Sequence, residues 1–203
     1  MAIPTKPKRA PQIPKAEATA RFITVVIELL DEEPIAAISD QLIADTAGIN
    51  RATIYRHFGS RFELLDAVVA ELTRRWLSTV TEILPVPESS WGGHGGEPMR
   101  ARLNPMTQKI FQLAAYLTAG GHHSESLRTS FTLISDMWIS SLESLGVPPR
   151  MAQTLTFKTI GLNLARAAIV DLVDIPEETI SDIEALSLVE IISHEESSAK
   201  LGW

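Results

Sequence analysis

Apolar positions recur at helical spacing along nearly the whole chain. From Ala16 to Leu30, Phe22, Val26, Leu29 and Leu30 share one face, and Pro34 stops the pattern. Ser39 is suited to cap a short helix running to about Thr46, with Leu42 and Ile43 turned inward. Gly48, within Ala47-Gly48-Ile49, then permits a tight turn because it takes positive φ at little cost. Asn50 can cap a second short helix over 51–58, whose Ile54 and Phe58 stand one turn apart, and Gly59 fits its end. Ser60-Arg61-Phe62-Glu63 has the form of a capping box. It opens a long helix to about Leu84, with a stripe of Leu65, Val69, Leu72, Trp76, Val80 and Ile83. No strand pattern competes, so an all-α fold is predicted.

A breaker-rich segment, Pro85 to Pro98, carries the run Gly92-Gly93-His94-Gly95-Gly96 and is expected to be a loop. Helices are predicted beyond it over about 104–119, 124–145, 148–172 and 176–195, separated by Gly120-Gly121, Gly146 with Pro148-Pro149, and Pro176. No internal repeat is visible. The expected organisation is a basic, Pro-rich tail (1–15) and a three-helix helix-turn-helix domain (16–62). A long helix joins this to a C-terminal helical domain (63–203) for ligand binding and dimerisation.

Charge sharpens this division. The net charge is −7. Residues 1–84 carry a balance of only −1, while 85–203 carry −6. Lys6, Lys8, Arg9 and Lys15 precede the first acid, Glu17, and Arg51, Arg56 and Arg61 lie in an acid-free stretch from 46 to 62. A DNA-binding domain needs local positive surface, not a positive total. The tail reads first as disordered; minor-groove contact by Lys8 and Arg9 is the alternative. The absence of cysteine excludes a disulfide frame and thiolate metal sites. No apolar run reaches the roughly 18 residues of a membrane span, and the N-terminus lacks a signal-peptide core. A cytoplasmic, non-membrane protein is expected.

The pair of short helices is the strongest functional signal. Joined by a turn of about three residues, they can lay the second helix in the major groove while the first braces it. With Ile54 and Phe58 facing the core, Arg51, Ala52, Tyr55 and Arg56 fall on the outward side. Arg can pair with guanine, and Ala and Tyr can touch a thymine methyl. Thr53, Tyr55 and His57 carry groups able to donate to phosphates. Arg61 stands in the first turn of the next helix, where its cation opposes the helix dipole, a placement read as serving a phosphate.

The stretch Ser39 to Arg61, above all its Ala47-Gly48-Ile49 turn and Thr53-Ile54-Tyr55-Arg56-His57-Phe58 run, resembles the tetracycline-repressor (TetR) family of bacterial regulators. The resemblance covers about residues 16–76. It implies an all-helical homodimer with small DNA-binding heads and a larger ligand-binding body. It further implies that Thr53, Tyr55, His57 and Arg61 meet phosphates, and that Gln41, Arg51, Ala52 and Tyr55 lie nearest bases. The position of Arg61 usually carries Lys in that family, and the charge is kept.

Residues 85–203 show no family motif. Met106, Phe111, Tyr116, Met137, Trp138 and Phe157 are candidates to line a ligand pocket, against the plainer reading of core packing. Asn163 and Arg166 are candidate polar anchors on an otherwise apolar helix. Few acids stand among these positions, which favours a neutral or anionic apolar ligand. His122 and His123 point about 100° apart on a helix, and with Glu125 and His94 they form no ligand pattern, so no metal or cofactor is expected. A two-fold assembly is expected through helices 148–172 and 176–195, with Leu162, Ala165, Ile169 and Leu172 as one stripe and Ile183, Leu186, Val189 and Glu190 near another. The expectation is a non-enzymatic repressor that binds a palindromic operator as a homodimer and is released by a small-molecule inducer. The alternatives are an activator or architectural DNA binder of this fold, and a helical carrier or enzyme without DNA binding.

Overall fold

The computed structural model of the protein describes residues 13–83, 97–144 and 146–169. These residues form seven helices and no strand: α1 (Lys15–Leu29), α2 (Asp40–Ala47), α3 (Ala52–Phe58), α4 (Arg61–Ile83), α5 (Glu97–Ala119), α6 (Glu125–Ser144) and α7 (Pro149–Ile169). They fall into two compact units that part between Val68 and Val69, inside α4. The boundary lies a turn and a half beyond the expected one at 62, because Leu64, Leu65 and Val68 are buried and their turns of α4 cluster with the head. The predicted helix 176–195, its stripe residues, Leu172, most of the basic tail and most of the 85–98 segment lie outside the described residues.

In the N-terminal unit α1 packs on α2 and α3. Phe22, Val26, Ile38, Ile43 and Ile54 are fully buried, and Phe58 meets the edge of Phe22 with ring centroids 6.3 Å apart. The local punctuation follows the sequence closely. Ser39 Oγ accepts from the Leu42 N–H at 3.1 Å, and Asn50 Oδ1 from the Ala52 N–H at 2.8 Å. Gly48 closes α2 at φ 63°, where a side chain would be strained, and Ser60 Oγ caps α4 through the Glu63 N–H at 3.1 Å. One core assignment is corrected: Leu42 is 36% exposed while its neighbour Ile43 is buried. Ile43 and Ala44 are both buried, so the buried arc of α2 is centred on their side and leaves Leu42 at its edge.

The C-terminal unit packs α7 against both α5 and α6. Leu142, Val147, Met151, Ala152 and Leu155 form one cluster, with Ile139 against it. Trp76 on α4 donates its Nε1–H to Thr107 Oγ1 at 3.0 Å and sits 6.2 Å from the ring of Trp138. α5 begins at Glu97, seven residues before the expected start. Pro98 is tolerated in a first turn, and Pro105 lies within the helix, where it omits one backbone bond without ending it. Among the described residues no helix is long and apolar enough to cross a membrane.

The contrast within α2 is directly measurable. Ile43→Ala should destabilise the head by about 2–5 kcal/mol, whereas Leu42→Ala should stay within about 0.5 kcal/mol of the parent. Amide hydrogen exchange of α1 to α3 reads both. Equal losses would return Leu42 to the core.

Candidate nucleic-acid interface

α3 is seven residues long, too short to hold itself together in water. Its orientation is therefore set by what it buries. With Ile54 in the core, Arg51, Ala52, Tyr55 and Arg56 are all exposed, as the sequence predicts. Arg51, at the N-terminal end of α3, places its guanidinium 5.8 Å from the centroid of the Tyr55 ring. Small, exposed Ala52 leaves the adjacent backbone open to close approach. Gln41 is exposed on α2 and donates its Nε2–H to Asp45 Oδ1 at 2.8 Å.

Two of the expected phosphate contacts sit differently. Thr53 is only 6% exposed, and its Oγ1 accepts from Arg56 Nη2 at 3.2 Å, so it steadies Arg56 and is not on the open face. Its position follows from Ile54: the residue before it on the helix turns toward the same core. His57 is half-buried, and its Nδ1 has no hydrogen-bond partner among the described residues. Burial, then the nearby Arg56 and Lys15 cations, holds its pKa below the ordinary histidine value. It therefore stands as a neutral ring at neutral pH.

Arg61 opposes the α4 dipole and also has partners within the chain. Nη1 pairs with Asp40 Oδ1 at 2.9 Å, and Nη2 donates to the Ile35 carbonyl at 3.2 Å. The second Asp40 oxygen, Oδ2, accepts a hydrogen bond from the Tyr55 hydroxyl. Asp40 thus ties α2 to α3 and α4 through two residues expected to meet DNA. Burial alone would raise its pKa; the bonds from Tyr55 and Arg61, with the Arg61 and Arg51 charges, outweigh this and hold the carboxyl below its ordinary value. Sequence reasoning missed Asp40. It lies six residues before the acid-free stretch that drew attention, and nothing in its spacing from Tyr55 and Arg61 reports a contact made only by folding.

The expected pocket residues are placed less coherently. Phe111 is buried and packs edge-on to Phe131 at 5.5 Å, while Met106, Tyr116, Met137 and Trp138 are half-buried. Phe157 is 61% exposed on α7. Asn163 donates to the Thr159 carbonyl of its own helix at 2.9 Å, and Arg166 is half-buried one turn on. A groove of about 400 Å³ lies elsewhere, between α4 and α6, lined by Ala70, Thr73, Leu77, Thr129, Ser130 and Leu133 among others. None of the expected residues lines it.

Residues 23–68 match the family model described as bacterial regulatory proteins, tetR family. That span holds α2, the turn, α3 and the first two turns of α4. Among solved structures the chain is similar to the TetR family repressor AlkX from Dietzia sp. strain DQ12-45-1b, implicated in biodegradation of n-alkanes. The TM-score is 0.51 at 15% identity, covering 88% of this chain and 95% of that one. At such identity the likeness concerns the fold alone, and the family match is confined to residues 23–68.

The Asp40 arrangement carries a pH signature. A folded pKa below the ordinary 3.8 means that its stabilisation is complete above that value and is lost as pH falls through the depressed one. The stability gap between the parent and Asp40→Asn should be constant above about pH 5 and should close under acid. Thermal unfolding across pH reads this, and a gap that widens under acid would refute the assignment.

Proposed function

We propose, on the premise that residues 23–68 are a tetR-family helix-turn-helix, that the protein is a homodimeric transcriptional repressor. It binds a palindromic operator and is released by a small, largely apolar ligand. The observation that supports this most is the exposed face of α3, where Arg51, Ala52, Tyr55 and Arg56 stand together on a helix whose opposite side is locked into the core. Arg51 is the base reader, bidentate to guanine; Ala52 and the Tyr55 ring meet neighbouring bases, and Gln41 lies at their edge. Tyr55, Arg56, His57 and Arg61 meet phosphates, and Thr53 assists by holding Arg56. A repressor role is favoured over activation because the structural neighbour, AlkX, is a repressor.

Assembly is proposed through α7. Phe157, Leu162 and Ile169 are large apolar side chains left exposed on this helix, with Ala165 and Ala168 beside them small enough for close approach. A two-fold copy would cover this face and give two heads for two half-sites. α4 is the covalent link between the units: Arg61 opens it and Trp76 lies further along it. A ligand held near Phe111 and Trp138 would favour a conformation whose heads no longer match successive grooves. Ligand and operator then weaken each other by one common factor, typically about 5–150-fold. The neighbour's link to n-alkanes makes apolar chains the first compounds to screen.

Two measurements test the reading. Arg51→Ala should cost about 1–3 kcal/mol of operator binding and relax preference at one symmetric base position; an unchanged preference would remove it as the reader. In solution the protein should have twice the 22.3 kDa chain mass. The pair Phe157→Glu with Leu162→Glu should reduce it to monomer without unfolding it, and a dimer that survives the pair would place the interface elsewhere.

A further inference from the structure

The hydrogens available around Asp40 limit what Tyr55 and Arg61 can bind. A phenol hydroxyl has a single hydrogen to donate, and a phosphodiester oxygen only accepts. In the free head that hydrogen is given to Asp40 Oδ2. Tyr55 cannot hold the carboxylate and a phosphate at once. Arg61 differs, because the fork of five guanidinium donors can serve several acceptors together. Exposure points the same way. Tyr55 is 41% exposed and open to an approaching duplex, whereas the Asp40 side chain is only 13% exposed. Asp40 is therefore covered by its partners and poorly compensated by water if one leaves, although the Arg61 pair at 2.9 Å would remain.

We propose that Asp40 is an intramolecular competitor of DNA phosphate for the Tyr55 hydroxyl, and so sets a ceiling on the affinity of the head for DNA. The inference rests on Tyr55 being a phosphate contact, as read above. The carboxylate occupies, toward Tyr55 and Arg61, the role that a phosphate takes in the complex. DNA must first break the Tyr55–Asp40 bond, and the bond gained to phosphate largely repays the bond lost. The same contact could instead act as a tether, holding Tyr55, and through its ring Arg51, ready for DNA. The two roles predict couplings of opposite sign.

The test is a double-mutant cycle on the full chain, with wild type, Asp40→Ala, Tyr55→Phe and the pair, titrated into labelled duplex operator at fixed salt. Competition predicts that Asp40→Ala tightens binding on the order of three- to tenfold, one hydrogen bond to a charged group being at stake. It predicts that Tyr55→Phe costs little in the parent but most of that gain in the Asp40→Ala background. Phe keeps the ring, so stacking with Arg51 is retained. A tether predicts weaker binding for Asp40→Ala and a smaller Tyr55→Phe effect in its background, and would overturn the proposal. Tighter binding with an identical Tyr55→Phe effect in both backgrounds would also overturn it, leaving only the removal of a negative charge. Should Asp40→Ala fail to fold, Asp40→Asn replaces it in the cycle: it keeps a weaker acceptor and should fall between parent and the full gain. If wild type itself binds no duplex DNA, the DNA reading fails and the inference with it. If wild type binds and only the coupling sign is wrong, the DNA reading stands.

Discussion

The rotation of α3 about its own axis decides what the head can do. Seven residues cannot sustain a helix alone, so Ile54 in the core and the Phe22–Phe58 contact fix both the existence and the angle of the element. A turn of one residue, about 100°, would bring Tyr55 into the place of Ile54 and turn Thr53 outward, dismantling the exposed face. Each exposed group on the surface is thus placed by a hydrophobic contact behind it. Asn50 below the first turn and Gly59 after the last confine the helix to this short length. Asp40 adds a polar clasp from α2 to the same face, tying Tyr55 and Arg61 to one carboxylate.

Much of this was legible in the residues. Caps at Ser39, Asn50 and Ser60, the glycine turn at Gly48 and the inward pair Ile54 and Phe58 are local or periodic features, and local features survive folding. The failures share one cause: they depend on what a segment meets after the chain has folded. Leu42 satisfies the helical pattern as well as Ile43, and only the position of α1 chooses between them. The Arg61–Asp40 pair cannot be seen in the sequence because its partners lie 21 residues apart. The exposure of Phe157 depends in the same way on how α7 packs. α5 begins earlier than expected because proline near a helix start breaks nothing, although it reads as a breaker in a composition scan.

The two units carry different kinds of information. In the head the chemistry is on the surface, and a short motif is enough to recognise it. In the C-terminal unit an apolar pocket and an apolar core look alike in sequence, and Phe111 packed on Phe131 fits either. The apolar side chains exposed on α7 are easier to interpret, since leaving Phe157 and Leu162 in water costs free energy that a second copy would recover.

The central claim is that this head reads DNA as one half of a two-fold pair. Selection of bound duplexes from a random pool, using the full-length protein, tests it most directly. The account predicts an inverted repeat whose half-sites are centred about 34–36 Å apart, or a multiple of that turn, with a guanine at the base facing Arg51 in each half. Enrichment of a single asymmetric half-site, or no enrichment at all, would contradict it.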